Sequence, residues 1–238
     1  MIPIQPGGDE REEPFWTYRD LLIFALLAVP CLAASALFAR GLFIAVPQIG
    51  VSRTWIAMLL FYVLWFGALY VLLYTGYRRP FWSSLGWKYP ATGKLLAAVG
   101  GPALAILVGL LGTLFRTPVI ETSFRKLVQD RLSLVLFGVF SMIIGPVCEE
   151  LAFRGFLMPL LVRSFGPVAG ILGAAVPFAI LHGDQYSWTW QYIVLVALAG
   201  IVFGWVRYRT GSTMASALMH STYNATFYAA YVIGGAKI

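Results

Sequence analysis

This chain of 238 residues contains seven long stretches without a charged residue. They are Leu21–Ala39, Thr54–Tyr77, Leu95–Phe115, Leu132–Cys148, Ser164–Leu181, Gln185–Val206 and Thr210–Ala236. Each has about 17 residues or more, close to the length that a helix needs to cross the hydrocarbon of a bilayer. Lipid offers the backbone no hydrogen-bond partners, and the stretches lack the period-two alternation of barrel strands. The sequence therefore predicts an all-α, polytopic membrane helix bundle of seven transmembrane helices, or eight if one segment is split.

The amino-acid composition also indicates that most of the chain lies in a lipid bilayer. Hydrophobic residues make up 60% of the sequence and charged residues 11%, whereas soluble domains carry roughly 25% charged residues. The net charge of +7 comes from basic residues scattered among the loops, a pattern typical of contact with anionic lipid headgroups. We therefore predict an integral, multi-pass membrane protein with membrane lipids as partners and no nucleic-acid role. If the chain is bacterial, its membrane would be the inner membrane.

The sequence divides into three parts. Residues 1–20 are predicted to form a polar N-terminal tail, residues 21–131 the N-terminal transmembrane helices, and residues 132–238 the part that carries the candidate chemistry. Cys31 and Cys148 both lie in apolar segments and form no CxxC pair. They indicate neither a disulfide framework nor a zinc ribbon.

Acidic residues and histidines are scarce, which makes their positions informative. After Asp20 the acidic residues are Glu121, Asp130, Glu149, Glu150 and Asp184, and the histidines are His182 and His220. An ionisable group at membrane depth costs several kcal/mol and marks a functional site by default.

The stretch "EELAFR" carries three charges beside an uncharged run. Glu150 and Arg154 are four residues apart, so on a helix they share a face and can pair. Glu149 lies about 100° round the helix from Glu150 and has no basic residue one turn away. A lone buried carboxylate tends to hold a proton, and a group that trades a proton is a candidate general base. The alternative is that Glu149 is a protonated packing residue.

The histidines lie in two other apolar segments. His182 ends the run "FAILH", and His220 lies four residues before Asn224, on the same helical face. Each signal alone fits an interfacial histidine or an interhelical hydrogen bond. Together with Glu149 they occupy three separate predicted helices, and such groups are expensive unless they share a polar cavity. We therefore expect the four side chains to converge.

Two chemistries suit such a cavity. In the first, Glu149 takes a proton from water while the other groups orient the water or stabilise an oxyanion. In the second, imidazole and carboxylate groups bind a metal such as zinc. The sequence has neither an HExxH nor a GxSxG motif, which disfavours a zincin and a serine hydrolase. The metal alternative stays open.

Three motifs in chain order resemble the CPBP family of membrane proteins. The motifs are EExxxR (Glu149, Glu150, Arg154), FxxxH (Phe178, His182) and HxxxN (His220, Asn224). That family contains the type II CAAX prenyl endopeptidases and bacteriocin-processing or immunity-related bacterial proteins. The resemblance covers roughly residues 132–233, and the N-terminal half matches only as generic membrane helices.

The resemblance implies an intramembrane peptidase, with a helical bundle around a polar cavity. It implies that Glu149 and His182 activate water, that His220 and Asn224 stabilise the oxyanion, and that Glu150 and Arg154 form a supporting ion pair. Phe178 supports the site as the aromatic member of its motif. No cofactor is required by this scheme. The alternative is a divalent metal such as zinc, held by Glu149, His182 and His220.

The predicted substrate is a peptide bond near the C-terminus of a membrane-anchored protein or peptide, with prenylated CAAX-type proteins as one class. Two other functions remain as alternatives. One is a non-catalytic membrane scaffold or a bacteriocin-immunity-type protein. The other is a proton or ion transporter that uses the same polar groups.

Overall fold

The computed structural model describes residues 14–90, 93–120, 122 and 127–234. Within these ranges the elements are helical, with no strand, which confirms the predicted all-α bundle. The helices are α1 Tyr18–Ala45, α2 Ser52–Tyr77, α3 Phe81–Ser84, α4 Lys94–Leu114, α5 Arg131–Val139, α6 Gly145–Glu150, α7 Met158–Leu181, α8 Trp190–Thr210 and α9 Thr213–Ile233.

Helices α5 to α7 form one continuous helical run, Arg131–Leu181. Two π-helical segments, Phe140–Ile144 and Leu151–Leu157, separate the three helices within it. The run breaks at Gly166, where φ is 79° and ψ is 171°. A side chain would disfavour this backbone conformation, which glycine adopts at no steric cost. The break divides the run into two limbs, so the described residues contain seven long helical stretches, the predicted number.

Among the residues that the structure describes, five helical stretches are long and apolar enough to cross a membrane. They are α1, α2, α4, the run Arg131–Leu181 and α8. Helix α9 is as long as α8 but is not among them. Its polar residues lower its mean hydropathy, and these include His220 and Asn224. The segment Thr210–Ala236 is thus helical over most of its length, while its apolar character is weaker than the absence of charge suggested.

The end of the predicted polar tail packs into the protein. Residues 1–13 of that tail lie outside the described residues. Helix α1 begins at Tyr18, three residues before the predicted segment, and Trp16 and Asp20 are buried. Asp20 accepts hydrogen bonds from the backbone of Thr17 and the hydroxyl of Tyr77. These partners satisfy a carboxylate that would otherwise be costly to bury.

Two apolar clusters hold the bundle together. The first joins the residues before α1 to α1, α2, α3 and the π-helical segment Leu151–Leu157. The second joins α4, α8 and α9. Helices α4 and α9 approach closely at Gly101, where a Cβ atom would overlap the backbone of Met219 and Tyr223. This crossing positions the face of α9 that carries His220.

Helix α5 begins at a capping residue. The carboxylate of Asp130 accepts a hydrogen bond from the backbone N–H of Ser133 at 2.7 Å. This bond holds the pKa of Asp130 below its ordinary value. The cap fixes the start of the helical run that leads to Glu149.

Candidate active site

Two adjacent glutamates point to different surroundings at the end of α6. The side chain of Glu149 is 26% exposed and lines a cavity, whereas Glu150 is fully buried. Neighbouring residues on a helix diverge by about 100°, which explains the difference. The π-helical segments on both sides of α6 widen the helix at this point, and such segments are frequent at functional sites.

Glu149 faces both histidines of the chain. Its Oε2 atom lies 3.9 Å from Nε2 of His182 and 3.8 Å from Nε2 of His220. Both distances exceed a direct hydrogen bond. A water molecule at about 2.8 Å from both atoms would bridge either pair.

The hydrogen bonds on the far side of each imidazole assign its tautomer. Nδ1 of His182 lies 2.7 Å from the carbonyl oxygen of Phe178, which can only accept, so Nδ1 carries the proton. Nδ1 of His220 lies 3.0 Å from Oε1 of Glu150 and donates to that carboxylate in the same way. In their neutral forms, both imidazoles therefore present a basic Nε2 atom to Glu149.

Glu150 is the centre of a buried network. Its Oε1 accepts from Nη1 of Arg154 at 3.0 Å, and its Oε2 contacts the hydroxyl of Ser216. Nη2 of Arg154 donates to the carbonyl of Gly200 at 2.8 Å. Paired charges with further hydrogen bonds offset part of the free energy that burial costs. The structure thus contains the ion pair that the spacing predicts and extends it to His220.

The ring of Phe178 packs against both Arg154 and His182. Its ring centroid is 4.4 Å from the guanidinium carbon of Arg154 and 4.6 Å from the ring centroid of His182. The ring of Phe203 stacks on His220 with centroids 4.5 Å apart and an angle of 21°. The two aromatic side chains hold the imidazoles and the guanidinium in place by packing.

Asn224 lines the same cavity but does not contact Glu149 within hydrogen-bond distance. Its Nδ2 atom donates to the carbonyl of Ser141 at 2.7 Å. Ser141 belongs to the π-helical segment Phe140–Ile144. This bond fixes the orientation of the amide and uses one of its two N–H groups. The structure therefore brings Glu149, His182 and His220 together, with Asn224 on the neighbouring wall.

The cavity has a volume of about 700 Å³. Aromatic residues from α2, α5, α8, α9 and the connection before α8 form much of its wall; they include Tyr62, Phe137, Tyr186, Tyr192, Tyr223 and Tyr228. Burial raises the pKa of Tyr186, which lies outside the membrane-spanning segments, to about 12. Its phenol therefore stays protonated at neutral pH and can donate a hydrogen bond.

Sequence reasoning missed three residues of the site. Ser216 contacts Glu150, Phe203 stacks on His220, and Tyr62 brings a phenol from the N-terminal half to the cavity. A signal for Ser216 was present, because Ser212, Ser216, His220 and Asn224 repeat at intervals of four and thus form one polar stripe on a helix. Phe203 and Tyr62 carry no such signal, since each lies in an ordinary apolar segment.

The described residues around Glu149 do not form a metal site. Across the described ranges, no group of three or more His, Cys, Asp or Glu side chains is arranged to hold a metal ion. The pair of imidazoles and the carboxylate of Glu149 supply suitable donor types, but not that arrangement. We therefore derive no step through a metal, and metal dependence stays a prediction to be tested by chelation.

The part of the chain that contains these residues is similar to a known protein family. Residues 131–226 match the family model of Rce1-like type II CAAX prenyl endopeptidases. The match begins at α5 and extends into α9, so it includes both glutamates and both histidines. No curated protein and no solved structure matches the chain.

Proposed function

We propose that Glu149 activates water for peptide-bond hydrolysis, as expected from the match of residues 131–226 to the family model of Rce1-like type II CAAX prenyl endopeptidases. One observation carries this proposal. A half-buried carboxylate oxygen, Oε2 of Glu149, lies within 3.9 Å of Nε2 of both His182 and His220. A water molecule beside Glu149 and His182 would donate one O–H to each of these two groups.

The chemistry follows from the hydrogen bonds of each group. Glu149 takes one proton from the water as general base, while Nε2 of His182 accepts the second O–H and orients the oxygen. The water oxygen attacks the carbonyl carbon of the scissile bond and gives a tetrahedral intermediate. The carbon–nitrogen bond then breaks, and the proton on Glu149 transfers to the departing amine.

His220 and Asn224 are the proposed oxyanion donors. Nδ1–H of His220 is engaged with Glu150, so His220 donates from Nε2 only when it is protonated. The second N–H of the Asn224 amide provides the other donor, already oriented by Ser141.

The proposed substrate is a membrane-associated protein or peptide that is cut near its C-terminus, with prenylated CAAX-type proteins as the class that the family match favours. The cavity volume of about 700 Å³ suits an extended peptide segment with an apolar attachment, since ligand cavities span roughly 300–1,000 Å³. Its largely aromatic wall suits aliphatic side chains and an isoprenoid.

The proposal is tested with the purified full chain in detergent or nanodiscs. The assay compares farnesylated CAAX peptides with the same peptides lacking the lipid, each with and without a chelator. We expect cleavage of the farnesylated peptides that persists after chelation. No cleavage of either peptide set under any condition would overturn the proposed activity, and loss of cleavage on chelation would overturn its independence of metal.

A further inference from the structure

Trp16 lies outside the family match and yet contacts the segment that follows the two glutamates. We propose that Trp16 is a positioning residue, whose indole N–H holds the π-helical segment Leu151–Leu157 in register and thereby orients Glu150 and Arg154. Its effect on cleavage rests on the proposed function, whereas its effect on the buried network does not.

Trp16 makes two direct contacts with this segment. Its Nε1–H donates to the carbonyl of Phe156 at 3.0 Å, in a buried setting. Its ring stacks on that of Phe156, with centroids 5.3 Å apart at an angle of 22°. Trp16 itself is only 2% exposed. One side chain therefore fixes both the backbone and the side chain of a residue in the π-helical segment.

The backbone beside Trp16 is held by the first turns of α7, which directly follow the π-helical segment. The guanidinium of Arg163 donates to the carbonyl oxygens of Pro14 and Trp16. The hydroxyl of Tyr18 donates to Ser164 at 2.7 Å. These bonds prevent the indole from moving away from Phe156 without breaking other contacts.

A second segment, at Leu85, also packs closely against the π-helical segment Leu151–Leu157. A Cβ atom at Gly155 would lie 2.9 Å from the carbonyl oxygen of Leu85. The backbone of Leu151–Leu157 is thus held on one side by a close backbone approach and on another by the indole. Such an arrangement selects one register for the segment.

The register of the segment Leu151–Leu157 matters because successive side chains on a helix point about 100° apart. Arg154 lies inside the π-helical segment and Glu150 immediately before it. If the segment returned to α-helical geometry, the guanidinium of Arg154 would rotate relative to Glu150 and Gly200. Glu150 would then lose a partner, and its hydrogen bond to Nδ1 of His220 would change with it.

The test uses the fact that the chain has two histidines. The full chain is labelled with ¹⁵N-histidine and studied by NMR in nanodiscs, which gives signals from His182 and His220 alone. The variants are Trp16→Phe, which keeps a ring but removes the N–H, and Trp65→Phe as the matched control. Trp65 also donates its indole N–H to a backbone carbonyl, that of Phe24, at 2.7 Å.

We expect Trp16→Phe to shift the Nδ1 signal of His220, and Trp65→Phe to leave it in place. In the cleavage assay, Trp16→Phe should lower kcat about tenfold with KM unchanged, a factor that matches the loss of about one hydrogen bond. A His220 signal that is unmoved by Trp16→Phe, or moved equally by both variants, would overturn the proposal.

A second variant covers the case in which Trp16→Phe fails to fold. Arg163→Gln keeps the indole but removes the guanidinium that holds the carbonyls of Pro14 and Trp16. We expect a smaller shift of the His220 signal in the same direction, and an unshifted signal would contradict the proposal. If Glu149→Gln cleaves as fast as the wild type while the NMR result holds, the proposed function fails and the positioning role stands.

Discussion

Oε2 of Glu149 lies 3.8 Å from Nε2 of His220, although the two residues belong to different helices, α6 and α9. The same imidazole donates its other nitrogen to Glu150. His220 therefore links a half-buried carboxylate in the cavity, that of Glu149, to the fully buried carboxylate of Glu150 behind it. Changes in the buried network are expected to reach the cavity through this ring.

Removing one partner of the buried ion pair should destabilise the protein strongly. Glu150→Gln leaves the Arg154 guanidinium buried without a counterion, a change that costs about 3–5 kcal/mol in comparable pairs. Arg154→Met likewise leaves the buried carboxylate of Glu150 without the guanidinium that pairs with it. The measurement is the free energy of unfolding of both single variants and of the double variant in bicelles.

The double variant is the control for this prediction. With both charges removed, no uncompensated charge is buried, so we expect it to be more stable than either single variant. Single variants that each lose less than about 1 kcal/mol, the range of exposed pairs, would contradict the buried network.

The crossing of α4 and α9 should be sensitive to a single methyl group. A Cβ atom at Gly101 would overlap the hydroxyl of Thr222 and the carbonyl of Met219, whereas one at Gly109 would meet nothing within 4 Å. Gly101→Ala should therefore cost about 1–3 kcal/mol, the usual range for overpacking. It should also slow cleavage, because α9 carries His220.

Gly109→Ala is the matched control in the same helix. It should leave the free energy of unfolding close to that of the wild type, because alanine is well tolerated in a helix. Equal effects of the two substitutions, measured in the same lipid, would show that α4 and α9 do not approach at Gly101.

The hydroxyl of Ser216 should contribute to the stability of the buried carboxylate. Ser216→Ala removes a donor from Oε2 of Glu150, and an unsatisfied buried polar group costs about 1–3 kcal/mol. Ser35→Ala is the comparison, since Ser35 is buried as well but donates only to the carbonyl of Leu32 in its own helix. Thermal unfolding should show the larger loss for Ser216→Ala, and the opposite order would place Ser216 outside the network.

The sequence was sufficient to predict which rare polar groups meet. Glu149, His182 and His220 converge because ionisable groups are expensive in lipid, and the chain offers few of them. The pairing of Glu150 with Arg154 follows from their spacing, which is a local property of a helix. Convergence of this kind depends on the residue type and on the apolar segment that surrounds each residue, and both can be identified in the sequence.

The features that the sequence did not predict depend on contacts between distant segments. Nothing in the periodicity of α9 indicates that His220 donates to Glu150, or that Asn224 donates to Ser141. Trp16 lies among polar and acidic residues, so its burial against Phe156 is a tertiary effect. The π-helical segments on both sides of α6 have no established sequence pattern, and they move residues relative to an ideal helix.

The most direct test of the account is the cleavage rate of Glu149→Gln on a farnesylated CAAX peptide. The substitution keeps the size of the side chain and removes the base, and general-base catalysis contributes about 10²–10⁴-fold. Asp130→Asn makes the same change outside the cavity and preserves the cap, because asparagine caps helices as well as aspartate does. We expect Glu149→Gln to lose at least about 100-fold in kcat with an unchanged melting temperature, and Asp130→Asn to retain the wild-type rate. Cleavage by Glu149→Gln at the wild-type rate would contradict the assignment of Glu149 as the base.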